Sequence, residues 1–138
     1  MIKKYLPIGL LLLMAFPSLL HAQSKKKIKE LGITSVIVHE YFLEESKDKY
    51  VVEQEEYYDD EGRLIEIKEF NSRSELKIWE KYVYDDDDNL IEEIFLDAKG
   101  RVESKEKTIY KDNLKVEKHF FDAKDRMVKK KLYIYSYK

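Results

Sequence analysis

From Ile33 onward the chain alternates between two textures. Runs of about 7–12 residues rich in Val, Ile, Tyr, Phe and Thr are separated by short clusters of Asp, Asn, Gly and Lys. This pattern predicts strands near 33–43, 50–58, 63–70, 76–84, 90–96, 101–110, 114–121 and 126–137. The positions most in need of a left-handed backbone are Gly62, Ser74, Asp88, Gly100, Asn113 and Asp125, since Gly, Asn and Asp tolerate positive φ best. Ser74 is the least suited of the six. Asp59, Asp85, Asp97 and Asp122 open their turns, where a carboxylate can accept from backbone N–H groups two residues on. Such even spacing predicts an all-β fold, an antiparallel meander of about eight strands built from two-strand repeats of about 25 residues. Successive turns then fall on alternating edges: those after Tyr58, Tyr84 and Tyr110 on one, those after Phe70, Leu96 and Phe121 on the other.

Within the strands the apolar residues sit near the turns and the charges sit mid-strand. Simple alternation groups Leu76, Ile78, Glu80, Tyr82 and Tyr84 on one face. Leu90, Glu92, Ile94 and Leu96 join them from one neighbour, and Leu64, Glu66, Lys68 and Phe70 from the other. Neither face is cleanly apolar, as a two-sheet sandwich would require. The expectation is therefore a largely single-layer, twisted sheet, wetted on both sides. Cross-strand Glu/Lys pairs would support it, and Lys stems would cover neighbouring apolar surface. The loop after Tyr110 is one or two residues shorter than its siblings, so a bulge is expected there.

The first 22 residues stand apart. Lys3 and Lys4 precede an apolar run from Ile8 to Phe16, and Leu20-His21-Ala22 offers a small-residue cleavage site. That is the pattern of a secretory signal peptide, cleaved after Ala22. Interrupted by Pro7 and Pro17, the run falls short of the ~20 residues needed to span a bilayer. The expected location is secreted or periplasmic, with no membrane insertion after cleavage. Residues 23–32 are a polar, basic segment. Ser24 can cap a short helix over Lys25–Leu31 stopped by Gly32, or the segment can be a flexible lead-in to a β-repeat domain over 33–138. The whole chain carries 26 basic and 28 acidic residues, and no Cys. That balance argues against a nucleic-acid partner, and the fold must do without disulfides.

Candidate chemistry is sparse. Asp85, Asp87 and Asn89 have the alternate spacing of a calcium loop. Leu90, however, occupies its glycine position and Leu96 its bidentate glutamate position, so the run reads as a solvated turn. His39 and His119 lack further ligands at zinc-site spacing and read as strand residues. Ser35, Ser104 and Ser136 have no glycine-elbow context. No nucleophile–base–orienter set can be drawn, so the reading is not an enzyme, with no cofactor. The stronger lead is aromatic. Trp79, Tyr82 and Tyr84 cluster on one strand as a possible binding face, while Tyr133, Tyr135 and Tyr137 are expected to line the last strand. Strand-end aromatics also serve as cross-strand structure. Lys129, Lys130 and Lys131 fall on that last strand, either guarding an edge or marking one that a partner strand completes.

The turn itself carries a resemblance. Tyr58-Asp59-Asp60-Glu61-Gly62-Arg63-Leu64 recurs as Tyr84–Leu90, with Asp88 for glycine. It recurs again as Phe121–Met127, with Phe for Tyr and Asp125 for glycine. The chain thereby resembles the bacterial YD-repeat (RHS-like) and MORN-variant families. The resemblance implies stacked hairpins. Large YD-repeat proteins close into shells around a toxin, for which three units are too few; MORN-variant members include antitoxin or immunity components. Three functions follow as expectations. The first is a non-enzymatic exported interaction or scaffold protein with a protein or glycan partner. The second, from the resemblance alone, is an immunity-type protein binding a cognate toxin. The third is a carbohydrate-binding module using Trp79.

Overall fold

The computed structural model describes residues 21–42 and 49–138. The expected leader, apart from His21 and Ala22, lies outside the described residues, as does Leu43 at the end of the first expected strand. One helix, α1 (His21–Leu31), precedes eight strands: β1 (Ser35–Tyr41), β2 (Tyr50–Tyr58), β3 (Leu64–Phe70), β4 (Leu76–Tyr84), β5 (Leu90–Leu96), β6 (Val102–Lys111), β7 (Leu114–Asp122) and β8 (Met127–Leu132). They form one antiparallel sheet in sequence order, with β1 and β8 at its two edges. The all-β meander is therefore the fold. The last strand is shorter than expected: regular pairing ends at Leu132, so Tyr133, Tyr135 and Tyr137 follow the strand instead of lining it.

Five of the connections are built alike. In the turn after Tyr58, the Gly62 N–H donates to the Asp59 carbonyl and the Asp59 N–H donates to the Arg63 carbonyl. This is a type I turn closed by one left-handed residue, Gly62 at φ 73°. The turns opening at Asn71, Asp85, Asp97 and Asp122 repeat both bonds. Their closing residues, Ser74, Asp88, Gly100 and Asp125, all have positive φ. The β6–β7 connection differs. Lys111 pairs with Leu114, and both intervening residues, Asp112 (φ 51°) and Asn113 (φ 58°), are left-handed, as a two-residue type I′ turn requires. The expected bulge near it lies between Ile109 and Tyr110.

A register shift also flanks each of the five longer turns. Each inserts one unpaired residue, and a one-residue slip moves every following side chain to the other face. The faces drawn from simple alternation are thereby overturned. Glu80 lies opposite Ile67 and Phe95, not beside Glu66 and Glu92. The other face carries the cross-strand row Tyr57, Glu66, Lys81, Ile94, Lys105 and Phe121.

Burial is thin throughout. Among the described residues only Ile28, Tyr58, Gly62, Ile67 and Thr108 are buried, and no side chain is completely enclosed. Both faces are wet, as a single layer must be. Three of the buried residues, Ile28, Tyr58 and Gly62, lie where α1 crosses the turn after Tyr58. The helix spans His21–Leu31, so Ser24 lies within it and not ahead of it as the expected span over Lys25–Leu31 required. It ends at Gly32 (φ 62°), with Gly32 donating to the Lys29 carbonyl and Ile33 to the Ile28 carbonyl. Lys25, Ile28 and Lys29 share one helical stripe. A Cβ on Gly62 would sit 2.5 Å from the Lys25 carbonyl oxygen and 2.9 Å from the Lys29 nitrogen. Glycine there admits both the left-handed turn and the helix backbone. Lys29 pairs with Glu61, and Lys25 reaches Asp88 at 2.5 Å in the next turn on the same edge.

Candidate functional site

The side chains around Trp79 form a connected group on one face of the sheet. Trp79 lies on β4 opposite Lys68 of β3, which lies opposite Glu55 of β2. The indole N–H donates to the Glu66 carboxylate at 2.7 Å. The far edge of the ring rests against Gly100, where a Cβ would come within 3.1 Å. The Lys68 ammonium sits 4.7 Å from the ring centroid and that of Lys81 at 5.9 Å, within cation–π range. Lys68 also lies 5.8 Å from the Tyr57 ring and 3.7 Å from both Glu55 and Glu66. Trp79 is thus oriented by one hydrogen bond and one glycine, and its charged neighbours are half-buried and internally neutralised.

Tyr82 and Tyr84 do not share this site. Tyr82 faces the other side of the sheet, because successive strand residues alternate. Its hydroxyl donates to Glu80 at 2.6 Å. Burial, reinforced by Glu80, pushes that hydroxyl well above the ordinary phenol range; Tyr58 beside Glu56 is shifted the same way for the same reasons. These phenols are neutral hydrogen-bond donors at any physiological pH. Tyr84 is a brace: its hydroxyl donates to the Leu64 carbonyl at 2.9 Å, and the Arg63 guanidinium lies 5.2 Å from its ring. Tyr110 reaches the Leu90 carbonyl and Tyr135 the Lys115 carbonyl across the same sequence interval. The Trp79–Tyr82–Tyr84 grouping is therefore corrected to Trp79 with Tyr57, Lys68, Lys81 and Glu66.

The turn aspartates are engaged locally. One Asp97 oxygen accepts from the Lys99 and Arg101 N–H groups at 2.8 and 2.9 Å, and the other accepts from Arg101 Nε at 2.7 Å. Asp59 with Arg63 and Asp122 with Arg126 repeat this. Asp85 has Asn89 as its fifth-position donor. In the turn opening at Asn71 the roles exchange, with the amide donating to Glu75 at 2.7 Å. The acidic run thus has structural occupants: Asp85 holds its own turn, while Asp88 meets Lys25 and, at 3.2 Å, Arg63. The sequence reading found the first position of this pair but missed the fifth. Its signal was a donor four residues after each turn-opening aspartate.

The histidines also have local partners. His39 stacks on Tyr50 with centroids 3.9 Å apart, and His119 lies 2.5 Å from Glu117. Near the β8 edge, Lys118 bridges Glu93 (2.9 Å) and Glu106, which oppose each other across β5 and β6. Burial pulls the Lys118 ammonium down, but its bonds to the two carboxylates outweigh this and hold it above the ordinary lysine range. Three ammoniums, those of Lys118, Lys129 and Lys131, surround the Phe120 ring at 4.2–5.8 Å.

No family model, curated protein or solved structure matches this chain. Among the described residues, no helix is long and apolar enough to cross a membrane.

Proposed function

We propose that this chain is a non-enzymatic, exported β-repeat protein that works as an interaction scaffold in the envelope or outside the cell. The observation that carries the reading is the Trp79 site. It is an indole held rigid by Glu66 and Gly100, flanked by Tyr57 and two lysines, on a sheet face left open to solvent. A pre-ordered aromatic with a polar rim has the composition of a protein contact point, where rigid Trp and Tyr contribute most of the binding energy. The basic, apolar leader supports export. The tyrosine hydroxyls, pushed up, and Lys118, kept protonated, favour structural over acid–base roles.

A pull-down from envelope extract with the purified protein should recover a protein partner, and Trp79→Ala should lose it. Recovery of no partner by a folded bait would overturn the reading. Glycan binding is the second reading, favoured by the same fixed indole, since an aromatic face can stack on a sugar ring. Glycan-array binding that vanishes in Trp79→Ala would favour it over a protein partner.

A further inference from the structure

The two edges of the sheet differ in charge. Residues 33–96 contain 20 acidic and 7 basic residues, whereas residues 97–138 contain 7 acidic and 13 basic. The asymmetry reaches the edges. β1 and β2 carry Glu40, Glu53, Glu55 and Glu56 and no Lys or Arg. β8 carries Lys129, Lys130 and Lys131 and no acid, and all six of its residues are exposed. The edges also differ in repeat position. Tyr135 braces Lys115 as Tyr84 braces Leu64 and Tyr110 braces Leu90, so β8 holds the place of β4 and β6. Each of those strands has an odd-numbered strand on its far side. β1 is an odd-numbered strand with no even-numbered strand before it among the described residues.

We infer that β8 of one copy pairs with β1 of a second copy, head to tail, continuing the meander. The strand count permits it. With eight alternating strands, a copy translated along the sheet presents its β1 antiparallel to β8, the more stable pairing. Backbone direction permits it too. The Tyr133 N–H points inward to Val116, so by alternation Lys130 points outward. The Thr34 carbonyl accepts from Tyr58, so Ile37 points outward on β1. Ile37 and Lys130 lie on the same face as Trp79, through Glu55 and Lys68 on one side and His119 and Lys107 on the other. Among the described residues, α1 crosses the turn edge of the sheet and no strand or helix covers the outer side of β1.

The charges supply selectivity. Lys118 on β7 already spans two strand spacings to Glu93 on β5. Lys129 and Lys131 of β8 would stand in the same relation to Glu56 on β2 of the next copy, and Lys130 to Glu55. Two β8 edges would instead set lysine against lysine, so the triple-lysine strand repels its own kind and admits the acidic edge. Such a heterologous contact does not close on itself and yields linear oligomers.

The chain has no Cys, so thiol cross-linking tests this cleanly. A variant carrying both Ile37→Cys and Lys130→Cys, treated with a short bismaleimide, should give a ladder of oligomers. A mixture of the two single variants should stop at dimer. Sedimentation of the wild-type protein should show concentration-dependent association that weakens as salt rises and the Debye length shrinks from ~30 Å at 0.01 M to ~8 Å at 0.15 M. Lys130→Pro, which removes an outward N–H but no bond to β7, should weaken association by about tenfold. Circular dichroism would establish that this variant keeps its sheet; if it unfolds, the charge reversal of Lys129 and Lys131 to Glu takes its place. A wild-type monomer at every concentration and salt would overturn the inference. So would cross-linking of the single Lys130→Cys variant to dimer as efficient as the ladder, which would mean symmetric β8–β8 pairing. Neither result depends on whether the Trp79 face binds an outside partner.

Discussion

At the scale of single residues, glycine does two separate jobs in this chain. Gly32 and Gly62 both have positive φ, but a side chain at Gly32 meets open space while one at Gly62 meets the backbone of α1. Gly32→Ala should therefore cost only the left-handed penalty of about 1–2 kcal/mol. Gly62→Ala should cost clearly more, because the helix must also move; urea denaturation of the pair measures the difference. Gly100 tests the Trp79 site in the same way. Alanine there would press on the indole at 3.1–3.2 Å, so Gly100→Ala should swing the ring outward and red-shift the emission of the sole tryptophan. The importance of these glycines was only half legible. Positive φ could be read from turn spacing, but contact with α1 or Trp79 joins residues far apart along the chain, and strand periodicity carries no record of it.

At the scale of elements, the recurring turn is a five-residue device held by its first and fifth side chains. The carboxyls of Asp85, Asp97 and Asp122 are lowered from the ordinary value of 3.8 by bonds from Asn89, Arg101 and Arg126. At Asp59 burial works in the opposite direction, and bonds from Arg63 outweigh it. A lowered folded pKa means the ionised form is favoured by folding. That stability is complete above the unfolded value and is lost as pH falls through it towards the folded values. The melting temperature should accordingly be insensitive to these groups above about pH 5 and should drop as the pH falls below about 4. Asp97→Asn should remove part of that acid dependence without abolishing the turn, as Asn71 already opens one. The Lys118 bridge predicts the reverse dependence. Lys118→Met leaves Glu93 facing Glu106, at a cost of about 1–2 kcal/mol for partly exposed charges. Because the folded Lys118 ammonium is raised above its ordinary value, the bridge's contribution is complete below the unfolded lysine value and is lost as pH rises through it towards the folded one, which urea melts of the wild type at neutral and alkaline pH would measure.

At the scale of the whole molecule, a sheet with so little buried area depends on its ladders and has two ends. Local opening free energy should fall from the centre towards the edges. Hydrogen exchange should therefore be slowest in β4–β6 and fastest in β1 and β8 at low protein concentration. Head-to-tail pairing adds a sharper expectation: protection of β1 and β8 should rise together with concentration while the centre is unchanged. A partner bound on the Trp79 face would instead protect β3 and β4.

The amino-acid sequence by itself determined the meander, the strand positions apart from the end of β8, and the left-handed turn residues apart from Asp112. Those properties are local: a turn needs particular residues at particular places, and strands have a period of two. Side-chain faces were not determined locally. Each turn adds a bulge residue, and a slip of one position reverses every face assignment after it. That is why Glu80 stands opposite Ile67 and Phe95 and not beside Glu66 and Glu92. The tertiary structure alone placed α1 over Gly62, set Gly100 under the indole, and gathered three lysines around Phe120. It also gave meaning to the recurring turn, whose alternation along an even number of strands leaves an acidic β1 edge and a basic β8 edge in antiparallel register for a second copy.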